Sequence, residues 1–260
     1  MTTGADRHDP PPRAAAGGTV DREEIARFSA LAAEWWDPDG NFRPLHRLNP
    51  VRLAWMRERL CRKFGRDARS LRALDGLDLL DVGCGGGLVA EPLARIGARV
   101  TGIDAADRNI AAAAAHAREA GLAIDYRAMT AEALAEEGRR FDAVIALEIV
   151  EHVADVGLFL RACTRLARPG GALFFATLNR TARSFLFAIV GAEYVLRWLP
   201  RGTHRWDRFI RPSELADGLA AEGAAVADLT GVSYEPVRDV WRLSRDLSVN
   251  YMLYAEKPGG

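Results

Sequence analysis

Leu77-Asp78-Leu79-Leu80-Asp81-Val82-Gly83-Cys84-Gly85-Gly86-Gly87, residues 77–87, sets an apolar run directly ahead of a glycine-rich loop. Leu77 to Val82 is a short apolar run of the kind that forms a buried strand. Gly83, Gly85 and Gly87 then alternate. Glycine lets a backbone turn tightly and lets a ligand approach it closely. A helix over Leu88–Ile96 follows, stopped by Gly97, and its first turn offers unpaired N–H groups. Ala98 to Ile103 reads as the next strand, and Asp104 ends it. A carboxylate at that position can accept ribose hydroxyls. Counting from Gly83, the sixth position is Leu88, so the dinucleotide fingerprint G-x-G-x-x-G/A fails. Asp81 would repel a pyrophosphate but suits a cationic amino-acid group. The plainer alternatives are a purely structural turn at the glycines and an Asp104 that only caps the next helix.

Outward from this unit, strands and helices alternate. Helix is expected over Asn109–Ala120, strand over Ile124–Arg127, strand over Phe141–Leu147, and helix over Val156–Ala167, stopped by Pro169-Gly170-Gly171. Strand five spans Ala172–Leu178. This order implies an α/β, Rossmann-like fold with a mostly parallel sheet flanked by helices on both faces. Residues 179–212 interrupt the rhythm and read as an inserted lid. Ser213 then caps a helix through Ala221. Two late strands, Ala225–Leu229 and Val249–Glu256, are antiparallel-compatible and joined by a long irregular link.

Residues 1–20 carry Pro10-Pro11-Pro12, an alanine run and Gly17-Gly18, and read as a disordered tail. The ordered domain is expected over 21–260. Asp21 and Glu24 form a capping-box pattern ahead of a helix bearing Ile25, Phe28, Leu31 and Trp35, ended by Pro38. Trp35 and Trp36 are expected to pack this helix. Asn49-Pro50 looks like the start of a second helix, with Leu53, Met56, Leu60 and Phe64 as its buried stripe. Arg52 falls in its first turn, off that stripe.

Composition narrows the function. The 260 residues are 49% hydrophobic and 27% charged, with 35 Lys+Arg balancing 35 Asp+Glu. A neutral chain gives no electrostatic case for a nucleic-acid partner. Cys61, Cys84 and Cys163 lie far apart, which argues against a thiol metal site or a disulfide framework and fits a reducing cytosol. No signal-peptide pattern opens the chain, and no uncharged apolar run reaches the roughly 18 residues needed to span a bilayer.

The hydrophobic–Asp–x–Gly–x–Gly–x–Gly run of Leu80–Gly87 and the acid Asp104 resemble the first two motifs of class I methyltransferases. A narrower resemblance rests on Trp35-Trp36-Asp37, residues 44–52 (Pro-Leu-His-Arg-Leu-Asn-Pro-Val-Arg), Glu148-Ile149-Val150-Glu151-His152-Val153, Thr177-Leu178-Asn179-Arg180, Gly191-Ala192-Glu193-Tyr194, Gly202-Thr203-His204 and Val249-Asn250-Tyr251-Met252. These are similar to the ubiquinone-biosynthesis O-methyltransferase family, from about Asp21 to Tyr254. The resemblance implies methyl transfer from S-adenosylmethionine to a phenolic hydroxyl of 2-polyprenyl-6-hydroxyphenol and 3-demethylubiquinol. It also implies cofactor contacts at Arg52, Gly83, Gly85, Asp104 and Leu147. Arg52 would meet the methionine carboxylate, and Leu147 would line the adenosine pocket.

Glu148, Glu151 and His152 follow strand four, at the open end of the sheet. Three readings stand. They could hold Mg2+, which would lower the phenol pKa; the resemblance implies this for eukaryotic relatives. His152 could act as general base without metal. Glu151 and His152 could simply cap and pack. Downstream, Phe185 to Leu199 is crowded with apolar residues and flanked by arginines. Residues 184–199 are expected either to form a lid or interfacial helix that draws a polyprenyl substrate from the membrane, or to cover the core. Trp206 and Phe209 are candidates for the acceptor pocket. The expected location is cytoplasmic, peripheral at the inner face of a bacterial membrane, with a ubiquinone-biosynthesis complex as a candidate partner. A nicotinamide oxidoreductase and a non-catalytic scaffold are the rival functions.

Overall fold

A computed structural model describes residues 29–185, 206–235 and 238–259, together with Thr19, Asp21, Ile25 and Ala26. Among these, eight strands form one sheet: β1 (Asp78–Val82), β2 (Arg99–Asp104), β3 (Asp125–Ala128), β4 (Phe141–Leu147), β5 (Ala167–Leu178), β6 (Ala225–Glu235), β7 (Val240–Ser244) and β8 (Asn250–Glu256). Their spatial order is β3-β2-β1-β4-β5-β8-β6-β7. The first five strands run parallel, and β8, β6 and β7 close the sheet antiparallel. The order reverses between β1 and β4. At such a switch point the crossover connections diverge and leave a crevice beyond the carboxyl ends of the strands.

Period-two alternation sends neighbouring residues of the central strands to opposite faces. Leu80, Val144, Phe175 and Leu253 pack in one core cluster, against α4 (Ala131–Glu136), α5 (Val156–Leu166) and α6 (Pro212–Ala221). Leu79, Ile145, Phe174 and Met252 pack in the other, against α1 (Arg43–Lys63) and α2 (Ala90–Arg95). α3 (Asp107–Glu119) buries Ala113 and Ala117. Covering on both faces explains why these strands read as continuous apolar runs.

Several expectations change. α1 starts at Arg43, with Pro44 in its first turn and Pro50 inside it. Proline removes one intrahelical bond and costs on the order of 3 kcal/mol in a helix interior. Burial of Leu48, Trp55, Met56 and Leu60 holds the helix together through it. Arg52 therefore lies mid-helix on the buried face, 3% exposed, not in an exposed first turn. Pro169-Gly170-Gly171 does not end the element before β5 but bulges inside it: the pairing moves from Phe141↔Ala167 to Ala143↔Ala172. The bulge is anchored by Gly170 N–H to Pro258 O (3.0 Å) and Lys257 N–H to Gly171 O (3.0 Å). β6 continues to Glu235, and the link after it contains β7. α4 was not anticipated, although Thr130 caps it by accepting the Ala133 N–H at 3.2 Å.

Thr19, expected in the tail, is 4% exposed and donates to Glu132 at 2.8 Å. The rest of the 1–20 tail, Glu24, Phe28 and nearly all of the expected 184–199 membrane segment lie outside the described residues.

Candidate functional site

β1 delivers its glycine loop to the crevice. Gly83, Gly85 and Gly87 have φ of 70°, 52° and 90°, a region that disfavours any side chain. A Cβ at Gly85 would fall 2.4 Å from the Trp35 ring, and one at Gly87 would fall 2.2 Å from the Tyr126 hydroxyl. Trp35 stacks on Phe42 at 3.7 Å and donates its indole N–H to Asn109 at 3.0 Å. Trp36 donates to Gly86 O at 2.9 Å and stacks on His116 at 3.5 Å. The two tryptophans thus roof the loop rather than merely packing an N-terminal helix.

Asp104 closes the loop from the other side. It accepts N–H groups from Gly85 (3.0 Å), Ala106 (2.8 Å) and Asn109 (3.2 Å). A carboxylate has about four acceptor sites, so about one is left for a ligand hydroxyl. Burial pushes its pKa up against these hydrogen bonds, which pull it down.

A cavity of about 750 Å³ opens here, lined by Arg52, Asp81, Gly83, Gly85, Asp104, Leu147, Glu148 and His152 among others. Two groups in its wall stand out. Asp81 is 3% exposed and its Oδ2 has no hydrogen-bond partner. Burial, and then the nearby Asp104 charge, raise its pKa to about 7. Arg52 pairs through one guanidinium nitrogen with Glu148, while its buried Nε also lacks a partner. A buried carboxyl group and a buried guanidinium thus stand in the wall of one cavity, each with a buried atom that no protein group satisfies.

Glu148 has φ of 53°, a left-handed conformation that costs a non-glycine residue about 1–3 kcal/mol. Its N–H bond to Ala176 O (2.8 Å) and its ion pair with Arg52 hold it there. Glu151 sits behind the cavity, 3% exposed, accepting the Thr177 hydroxyl at 2.8 Å. Its pKa rises to about 7, chiefly through burial and then through the Glu148 charge, with His152 opposing. His152 reaches the cavity; Glu151 does not. Among the described residues no group of three His, Cys, Asp or Glu, the expected Glu148, Glu151 and His152 included, is placed to hold a metal ion as the side chains stand.

Trp206 and Phe209 do not line the cavity. Phe209 is buried against Leu178 and Val249, and Trp206 donates to Thr181 O at 2.9 Å. Residues that sequence reading missed are Asn109, Tyr126 and Asn49. Asn49 was taken as a helix cap. It instead lies buried in the cavity wall, its side-chain N–H reaching Leu88 O at 3.4 Å. Its neighbour Pro50 was the misleading signal. Among the described residues, no helix is long and apolar enough to cross a membrane.

Comparison with known proteins gives the family and the fold. Residues 80–175 match the family model of a methyltransferase domain. The chain is 54% identical over 243 residues to the ubiquinone biosynthesis O-methyltransferase of Rhizobium etli, covering 94% of this chain and 98% of that one. It is 57% identical over 241 residues to the protein of the same name from Azorhizobium caulinodans, covering 93% and 95%. Among solved structures, magnesium protoporphyrin IX methyltransferase from Synechocystis with bound SAH is similar in fold. Its TM-score is 0.59 at 18% identity, covering 89% of this chain and 94% of that one.

Proposed function

The chain belongs to the ubiquinone biosynthesis O-methyltransferase family, and on that premise we propose that it methylates the phenolic hydroxyls of 2-polyprenyl-6-hydroxyphenol and 3-demethylubiquinol. When bound, S-adenosylmethionine supplies an electrophilic methyl group on a sulfonium. The observation that carries the reading is the pair of buried, unsatisfied groups of opposite charge, Arg52 Nε and Asp81 Oδ2, on one cavity. The methionine end of the donor is a zwitterion: its carboxylate suits Arg52, and its ammonium suits Asp81. Gly83 and Gly85 leave room for the backbone to approach the donor, Asp104 takes a ribose hydroxyl, and Leu147 packs beside the base.

His152 takes the phenol proton as the oxygen forms its bond to the methyl carbon and the carbon–sulfur bond breaks. Glu148 keeps Arg52 in place, and Glu151 supports the turn that carries His152. Magnesium at Glu148, Glu151 and His152 is the second reading. It requires Glu151, which does not line the cavity, to turn toward it; Thr177 engages only its Oε2, and Arg52 engages only Oε1 of Glu148. Residues 21–260 act as one catalytic domain, and residues 184–199 draw the substrate from the membrane surface. Assembly with other ubiquinone-synthesis enzymes would hand substrates on.

The deciding assay offers short-chain analogues of both phenols with and without chelator. Methylation of both, unchanged by chelator, is expected. No product from either phenol overturns the function, and loss of rate in chelator overturns the metal-free mechanism. His152→Ala should lose about 10²–10⁴ in kcat. Liposome flotation of the wild type and of a chain lacking Ser184–Leu199 tests the membrane role; equal flotation of two folded proteins removes it.

A further inference from the structure

The cavity continues past the donor groups. Its far wall is made by the first half of α1, with Leu45 and Leu48, and by the β6–β7 hairpin, with Val232, Tyr234 and Trp241. Val232, Tyr234 and Trp241 share one face of the hairpin, because Tyr234 pairs with Trp241 and Val232 lies two residues away on the same strand. The Tyr234 and Trp241 rings lie 5.3 Å apart, tilted by 48°. Both residues are half-buried, so each ring keeps surface open.

At the outer end the two walls are tied together. Arg47 of α1 pairs with Asp239, which also accepts the Tyr234 hydroxyl at 2.5 Å. Asp239 has φ of 53°, which turns its carboxylate back toward both partners.

The donor groups Gly83, Asp104, Arg52 and Asp81 gather at the ends of β1 and β2 and on the middle of α1. The acceptor hydroxyl must lie at His152, beyond β4. β5 and β8 stand between β4 and the hairpin in the sheet, and Leu178 and Asn250 at their ends line the same cavity as His152 and the apolar seam. A cavity of about 750 Å³ is the size that encloses a drug-sized ligand. It must hold the donor and a phenol, so a polyprenyl tail has to run outward along its wall, and an apolar wall is the one that does not penalise an apolar chain.

We propose that the seam between the Leu45–Leu48 turn of α1 and the Tyr234–Trp241 face of the β6–β7 hairpin is the tail subsite. It receives the isoprene units next to the phenol ring, with the Arg47–Asp239–Tyr234 tie holding its two walls in register. This rests on the acceptor assignment made above and adds where the tail runs.

The test measures kcat/KM for catechols carrying zero, one, two and three prenyl units, in wild type, Trp241→Ala, Trp241→Phe and Leu45→Trp. Calorimetry with S-adenosylhomocysteine establishes that each variant is folded. Trp241→Ala should lower the ratio of prenylated to tail-less kcat/KM about tenfold, and Leu45→Trp, which fills the seam, should lower it in the same direction. Trp241→Phe, which keeps an aromatic face, should restore most of the ratio. An unchanged ratio in folded Trp241→Ala and Leu45→Trp overturns the tail subsite while leaving the function intact. A wild type that methylates none of the catechols fails at the earlier step and takes the function with it.

Discussion

The two halves of the sheet are built differently. In the parallel half, the groups that face the donor come mostly from one short span: Asp81, Gly83, Gly85, Asp104 and Asn109 lie within two consecutive strand–helix units. In the antiparallel half, the proposed tail subsite joins the start of α1 to the β6–β7 hairpin, with Arg47 meeting Asp239. Local sequence can encode the first by spacing alone. The second exists only after distant segments have packed.

The strongest way to break the contrast is at the pivot between the halves. Arg52→Ala leaves Glu148 without its partner and the cavity without its buried cation. Removing one partner of a buried pair costs on the order of 3–5 kcal/mol. Denaturant unfolding should show a large loss, and calorimetry with S-adenosylhomocysteine a loss of affinity of roughly 100-fold or more. Next comes the donor loop. Gly85→Ala drives a Cβ into Trp35 at a positive φ. Overpacking of this kind costs about 1–3 kcal/mol; denaturant unfolding should show that loss, and calorimetry a weaker affinity for S-adenosylhomocysteine.

Asp81 gives a pH signature confined to the parallel half. Its folded pKa of about 7 lies above the ordinary carboxylate value of 3.8. Between those values the folded state binds more protons than the unfolded state, so the Asp81 contribution is most favourable at low pH and is lost as pH rises through about 7, with Glu151 adding a slope of the same sign. Asp81→Asn should flatten that slope and stabilise the ligand-free protein at pH 8 by on the order of 1–3 kcal/mol. It should also weaken the donor. A slope unchanged in the variant would remove Asp81 as its source. The smallest effect belongs to the antiparallel half. Tyr251→Phe deletes the bond from the Tyr251 hydroxyl to Ile210 O, 3.0 Å long, and should cost about 1 kcal/mol in urea unfolding while leaving donor affinity unchanged.

Legibility from sequence follows the same division. Phe141–Leu147 is found with both ends as expected, because an apolar run flanked by polar residues encodes a central strand locally. The glycine loop and Asp104 are read for the same reason. Asn49 and Arg52 are misplaced because Pro50 imitates a helix start; only the packing of Trp55, Met56 and Leu60 shows that the helix runs through it. β7 is missed because its exposed Val240 and Leu243 break the expected burial pattern of a strand. Glu151 is recognised as chemically unusual, yet its turn toward Thr177 depends on β5, which lies beside β4 only in three dimensions. The pairing of Arg52 with Glu148, 96 residues apart, has no local trace at all.

Trp35 on the glycine loop also bears on the order of events during synthesis. The residue leaves the ribosome early, but its partner Asn109 is 74 positions further along. Closing so large a loop in sequence is slow relative to forming local helices and turns. The cover on the glycine loop and Asp104 is therefore a long-range contact, made by a segment that takes no part in the pairing of the sheet. Donor binding becomes a report on finished folding, and an amino-terminal segment unable to fold back would leave a protein with an intact sheet and an open, unroofed donor cleft.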